Sequence, residues 1–267
     1  MKRSSIQIAI AACGVAIAVV LLGPLLGDLL TDARVPRGPT ITDEELRKLN
    51  YEFGPGTFTI DSSGAVVRVG VDEVFLQGES AKEFMRLSTG NSRSKPDAVV
   101  FGLEGPFERS SVLYRYFHTG HVKTDDWELA IQPDQLMAHI NKNTQEDNRT
   151  RPPGYSEVIA DGWVQRPVID RQIPIAYWAY RYHTNRGQQF VTAVALKLER
   201  QGYSQFQWIG SPDQFRGAKR TLDSAIQAYR LPEGQGYGDF DPGTDKVSKA
   251  GLGEIITNLL TGSNSTE

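Results

Sequence analysis

The sequence predicts an α+β fold, a mostly antiparallel sheet with covering helices, preceded by one N-terminal transmembrane helix. Three patterns indicate it. Residues 175–182 and 188–198 have the alternation and strand propensity of a β-hairpin, and residues 184–187 between them favour a turn. Residues 218–229 place apolar side chains along one face of a helix. Residues 6–27 contain no charged side chain, which is typical of a membrane span.

The apolar segment 6–27 is long enough to cross a bilayer. At about 1.5 Å per residue it would form a helix roughly 33 Å long, against a hydrocarbon core about 30 Å thick. Its apolar residues include Ile6, Ile10, Val15, Leu21 and Leu26. Cleavage as a signal peptide and lipid modification at Cys13 are the alternatives. We therefore predict a single-pass anchor that contacts membrane lipid.

The anchor and the turn-rich stretches divide the chain into five parts. They are a short tail at 1–5, the anchor at 6–27, a juxtamembrane linker at 28–41, an α+β domain at 42–230, and a Gly/Asp-rich segment with a short amphipathic helix at 231–267. Basic residues without neighbouring acids precede the anchor, which favours a cytoplasmic N-terminus. The domain is therefore expected outside the cytoplasm.

Composition excludes several classes of activity. The formal net charge is -3, so the chain has no electrostatic footprint for nucleic acid. The single cysteine, Cys13, lies in the predicted anchor, which leaves the domain without a disulfide or a thiolate nucleophile. Neither a Gly-x-Ser-x-Gly elbow nor a phosphate-binding loop occurs. No catalytic residue and no cofactor is predicted.

A small group of imidazoles and carboxylates is the candidate metal site. His118, His121, Asp125 and Asp126 follow a predicted strand at 111–117 and could bind a divalent ion. On a continuous strand the two rings would point to opposite faces, so a ligand pair requires a turn between them. The alternative is a polar strand end followed by a solvated acidic loop.

A second acidic group lies near the end of the chain. Asp239, Asp241 and Asp245 alternate with glycines, but their spacing lacks the continuation of an EF-hand loop. Aspartate followed by Pro242 and Gly243 favours a tight turn. We therefore predict that these five residues form a structural turn.

Aromatic residues are concentrated in the predicted strands of the C-terminal half. Tyr177, Trp178, Tyr180 and Trp208 fall on both faces of the sheet by alternation. One set would belong to the core. The other would lie under a C-terminal helix or form an exposed surface for a peptide or glycan.

Two helices are predicted after these strands. A capping-box signature at Ser211–Gln214 predicts that the first begins at Pro212. The second carries an apolar stripe, Leu252, Ile255, Ile256, Leu259 and Leu260, and is too short to span a bilayer. It either docks on the domain or lies in the membrane interface.

Several stretches resemble a known family, domain of unknown function 2167. They are Gly120–Asp126 (GHVKTDD), Glu146–Arg149 (EDNR), Gly162–Trp163, Tyr177–Ala179 (YWA) and, most specifically, Tyr237–Val247 (YGDFDPGTDKV). The resemblance implies an uncharacterised, membrane-anchored bacterial protein and supplies no reaction. The chain departs from the family in its short C-terminal segment, which ends in the polar run TGSNSTE.

The leading hypothesis is therefore a membrane-anchored bacterial envelope protein whose domain binds another protein or contributes to assembly. One alternative is a metal-dependent hydrolase centred on the His118–Asp126 group. The other is a module that binds a peptide or glycan through exposed aromatic residues.

Overall fold

The structure, a computed structural model, describes residues 43–90, 94–102 and 111–261. The predicted anchor, including Ile6, Ile10, Val15, Leu21 and Leu26, lies outside the described residues. Among the helices that are described, none is long and apolar enough to cross a membrane. The transmembrane helix therefore stays a prediction.

Strands and helices alternate irregularly along the chain. The strands are β1 (Tyr51–Phe53), β2 (Gly56–Thr59), β3 (Val66–Val69), β4 (Glu73–Gln77), β5 (Ala98–Gly102), β6 (Ser111–Phe117), β7 (Val158–Asp170), β8 (Ile175–Thr184), β9 (Gln189–Glu199), β10 (Gly202–Gly210) and β11 (Tyr229–Arg230). The helices are α1 (Asp43–Arg47), α2 (Gly78–Thr89), α3 (Trp127–Ala130), α4 (Pro133–Thr150), α5 (Ala218–Ala228) and α6 (Leu252–Thr261), with one 3-10 turn at Tyr237–Asp239.

Most strands belong to one eight-stranded sheet in the order β1-β4-β5-β6-β10-β9-β8-β7, and β11-β3-β2 form a second, smaller sheet. Each pairing of neighbouring strands is antiparallel. The predicted hairpin is β8 and β9, in which Tyr180 lies opposite Thr192. The predicted α+β class with an antiparallel sheet is confirmed.

Both faces of the large sheet are covered. On one face, the small sheet and α5 bury residues such as Phe206 and Leu222. On the opposite face, α6 packs Leu252 and Ile256 against Trp178 and neighbouring residues of the sheet. Of the two alternatives for the C-terminal helix, the structure shows docking on the domain.

Two local features differ from what the sequence predicts: one helix begins later than expected, and one strand was not predicted. The helix expected from Pro212 begins instead at Ala218 as α5, because Gly217 has a left-handed φ of 92° and the Ser211–Gln214 segment bonds within itself as a turn. The Oε1 atom of Gln165 accepts the first helical N–H, from Ala218, at 2.9 Å. Strand β7 was not predicted, because register shifts interrupt its pairing with β8 and with it the regular alternation.

Candidate functional site

The two predicted histidine ligands lie in different surroundings. Strand β6 ends at Phe117, and Gly120, with a φ of 89°, turns the chain before His121. The His121 ring stacks between Tyr237 and Phe240, with ring centroids 4.3 and 4.0 Å away. Burial lowers the pKa of His121, and its buried Nδ1 atom has no hydrogen-bond partner. The His118 side chain is exposed.

Asp126 has a structural role at the start of α6. Its carboxylate accepts the N–H groups of Gly253 at 3.0 Å and Glu254 at 2.9 Å, two donors that the helix itself leaves unpaired. A Cβ atom on Gly251 would lie 2.3 Å from the Asp126 Cγ, so glycine permits this approach. Caps of this kind stabilise a helix by about 1 kcal/mol.

The four predicted metal ligands are not brought together as one site. Asp125 is exposed, while Asp126 is directed at α6. Within residues 43–90, 94–102 and 111–261, no group of three or more His, Asp or Glu side chains is arranged to hold a metal ion. The metal-dependent hydrolase therefore has no supporting geometry in this part of the chain.

The acidic residues near the C-terminus form a closed loop. Asp241 Oδ1 accepts the N–H of Gly243 at 2.9 Å, and Asp245 Oδ2 accepts the N–H of Asp241 at 2.8 Å. Asp239 Oδ2 similarly accepts the N–H of Gly236 at 2.8 Å. Pro242 lies within the hydrogen-bonded turn. Each carboxylate is thus already occupied by backbone donors.

Arg200 fixes this loop to the end of β9. Its Nε donates to Asp245 Oδ2 at 2.7 Å and its second guanidinium nitrogen to Asp245 Oδ1 at 3.1 Å. These two hydrogen bonds lower the pKa of the Asp245 carboxyl. The most family-specific stretch of the sequence is therefore a docked loop that also covers His121.

The aromatic residues proposed as a ligand surface belong to the core. Tyr177, Trp178 and Trp208 are buried, and Tyr180 is only partly exposed. The hypothesis of an exposed aromatic surface is wrong for Tyr177, Trp178 and Trp208. The physical reason is that α5 and α6 cover opposite faces of the sheet, so aromatic side chains on both faces find apolar partners.

The residues that sequence reasoning missed form a buried polar cluster at the ends of β9 and β10. The Glu199 cluster consists of Glu199, Lys197, Ser204, Tyr229 and Tyr116. Pairing of β9, β10 and β6 sets Ser204 between Lys197 and Tyr116, and the Ser204 Oγ and Tyr229 OH atoms are 2.6 Å apart. A charged residue at the end of a strand is usually exposed to solvent. Nothing in the sequence therefore predicted that Glu199 is buried.

Glu199 is the carboxyl group of the cluster, and its side chain is deeply buried. The residue is 1% exposed, and neither carboxylate oxygen has a hydrogen-bond partner of regular geometry. Burial raises the pKa of Glu199 to about 7, while Ser204, Lys197 and Tyr229 lie close enough to oppose part of that shift. Burial also lowers the pKa of Lys197 and, with a contribution from the Glu199 charge, raises that of Tyr116 to about 12.

A small cleft lies between the two sheets beside this cluster. Ser63, Asp97, Tyr116, Ser204 and Tyr229 are among its lining residues. The Asp97 carboxylate already accepts the backbone N–H of Tyr116 at 2.7 Å. What the arrangement can do chemically is to keep a proton on Glu199 at pH values well above those at which an ordinary glutamate loses it, up to its raised pKa of about 7.

Fold and sites together define an α+β domain on a doubly covered antiparallel sheet, with a buried titratable cluster at one strand end and a docked C-terminal loop. The chain belongs to the family described as Protein of unknown function (DUF2167), whose model matches residues 52–262. No curated protein matches the chain.

Among solved structures, the chain is similar to cyanobacterial PsbP (CyanoP) from Synechocystis sp. PCC 6803. The identity is 14%, the match covers 66% of this chain and 92% of that one, and the TM-score is 0.36. A TM-score this low does not define a shared fold.

Proposed function

We propose that this protein is a membrane-anchored domain of the bacterial envelope that binds another protein, or contributes to assembly there, without catalysing a reaction. The observation that carries the proposal is the uncharged segment 6–27, followed by a polar, proline-containing linker and a folded domain that begins at α1. An anchor of this kind confines the domain to the membrane surface and raises its effective concentration for partners there.

Exposed apolar side chains favour a protein partner. Large hydrophobic residues that are exposed include Ile159, Val164 and Val168 on β7 and Ile173 in the turn that follows. Strand β7 is an edge strand of the large sheet. A partner that lay along this edge strand would remove these apolar side chains from water, so we place the partner surface there.

Membrane flotation of the full chain tests the proposal. We expect the wild type to float with lipid in a density gradient, and Val15→Lys with Leu21→Lys to remain in the dense, lipid-free fractions. Each lysine placed near the centre of a span costs about 2.5–3.5 kcal/mol of insertion free energy.

The matched control replaces the same two positions with apolar residues, Val15→Ile with Leu21→Met, and should float like the wild type. Flotation also separates inserted protein from aggregates, which sediment. A wild type that stays in the dense fractions, or a double-lysine variant that floats equally well, would contradict the anchor.

A further inference from the structure

Strand β7 presents a row of five exposed residues at the edge of the large sheet. They are Ile159, Asp161, Val164, Arg166 and Val168. The three aliphatic residues are each 44% or 46% exposed. The order along the strand is apolar, acidic, apolar, basic, apolar, so the charge changes sign between its two halves.

The five residues are spaced symmetrically about the middle of the strand. Ile159 and Val168 lie equal numbers of residues from the point between residues 163 and 164, and so do Asp161 and Arg166. A two-fold axis through that point would set Ile159 of one copy against Val168 of the other. The same axis would set Asp161 against Arg166. A symmetric dimer requires such a self-complementary surface, because the same patch meets itself.

The register with β8 shows which of these side chains share a face of the sheet. Ile159 lies opposite His183 and Val168 lies opposite Tyr177. Since His183 and Tyr177 are an even number of positions apart on β8, both pairs point to the same face. The Asp161 carboxylate contacts His183 Nδ1 at 2.7 Å, so it lies toward that face as well. Ile159 and Val168 are about 30 Å apart along the strand and do not contact each other within one chain.

The charged positions of β7 do not repel a second copy, because each already has an opposite charge beside it. Arg166 Nη2 lies 3.0 Å from the Asp134 carboxylate, and Asp161 lies 3.6 Å from Arg181 Nε. In the two-fold arrangement the first pair of one copy would meet the second pair of the other, and the four charges can alternate in sign. Electrostatic complementarity of this kind fixes the register of an interface more than it adds affinity.

A second copy would contact β7 through side chains rather than by adding a strand to the sheet. Asn148 already binds the backbone of Val158: its Oδ1 accepts the Val158 N–H at 2.9 Å, and its Nδ2 donates to the Val158 carbonyl at 2.7 Å. Pro167 brings no N–H, and register shifts interrupt the strand. Edge strands with proline and bulges resist backbone pairing with another chain.

We propose that β7 is the surface on which a second copy of this chain docks, about a two-fold axis between residues 163 and 164. The strip is 13 residues long but only one strand wide. It is therefore smaller than the roughly 1,200–2,000 Å² that stable, specific interfaces bury, and association in dilute solution is weak. Confinement by the anchor raises the effective concentration of the copies. The inference thus rests on the proposed function and names its protein partner.

Crosslinking of the full chain in membranes tests the docking. Val164→Cys in a Cys13→Ser background places one thiol beside the axis, where a short bismaleimide should join two copies. The control is Val71→Cys in the same background. Val71 is 64% exposed in the turn between β3 and β4, away from β7, so this variant should give little dimer.

Two double variants, each combined with Val164→Cys, test the axis itself. Ile159→Glu with Val168→Glu would set like charges against each other, and the crosslinked fraction should fall at least about tenfold, because like-charge contacts across an interface are costly. Ile159→Glu with Val168→Lys would set opposite charges together and should keep most of the crosslinking. Both variants place charges at the same two exposed positions, so their effects on folding are matched.

Flotation of the same membranes separates this inference from the anchor. A chain that floats but gives no Val164→Cys dimer, a crosslinked product that contains a different protein, or two double variants that crosslink equally would each overturn docking of a second copy while the anchor stands. A chain that crosslinks at Val164→Cys with the expected response to the double variants, but does not float, would keep the docking and contradict the anchor.

Discussion

Replacing Glu199 by Gln should raise the free energy of unfolding at pH 8 by on the order of 3 kcal/mol. The folded-state pKa of Glu199 is raised from 4.5 to about 7, mainly by burial. Each pKa unit corresponds to about 1.36 kcal/mol. The neutral carboxyl therefore contributes stability that is fully present below pH 4.5 and lost as the pH rises toward 7. Glutamine stays neutral and keeps the size of the side chain.

Urea unfolding of the full chain in a mild detergent, at pH 4.5 and pH 8, measures this effect. The difference between Glu199→Gln and wild type should be small at pH 4.5 and large at pH 8, because other titrating groups cancel in the comparison. Glu233→Gln should unfold like the wild type at both pH values. A Glu199→Gln difference that is the same at pH 4.5 and pH 8 would show that the carboxyl is not protonated in the folded state.

Replacing Trp178 by Ala should lower the free energy of unfolding by about 3–5 kcal/mol, the usual cost of removing a large buried aromatic side chain. Trp178 is 1% exposed and lies in the core cluster that includes Leu252 and Ile256 of α6. Loss of the indole would leave a cavity under that helix. Urea unfolding again provides the measurement.

Ile173→Ala is the matched control for Trp178. Ile173 is 46% exposed in the turn after β7, so its truncation should change the free energy of unfolding by no more than about 0.5 kcal/mol. If Trp178→Ala cost no more than this control, the packing of α6 on the sheet would be wrong. The aromatic side chain would then be free for the ligand-binding role that its burial excludes.

Local periodicity was sufficient for much of the fold. The alternation in 175–182 and 188–198 predicted β8 and β9, and the apolar stripe on Leu252 and Ile256 predicted α6. These signals can be recognised within a single element, because the apolar side chains that face the core recur with the period of that strand or helix. Strand β7 lacked such a signal, since its bulges break the alternation.

The Glu199 cluster could not be predicted for a different reason. Its members come from β6, β9, β10 and β11. The strand order of the large sheet places Tyr116 near Glu199, and the packing of the small sheet on the large one brings Tyr229 there. A single glutamate at the end of an apolar strand gives the same sequence pattern whether its side chain is exposed to water or buried in the core. The role of Asp126 was hidden likewise, because its partners at Gly253 and Glu254 lie far along the chain.

The most direct test of the central claim, a folded domain held outside the cytoplasm by an anchor, is cysteine labelling. Val71 is 64% exposed, and the chain's single cysteine, Cys13, can be replaced by Ser to give a silent background. In spheroplasts that express the full chain with Cys13→Ser and Val71→Cys, a membrane-impermeant maleimide should label the protein before lysis. A cytoplasmic host protein with a reactive cysteine should be labelled only after lysis. Labelling of Val71→Cys that also requires lysis would contradict the account.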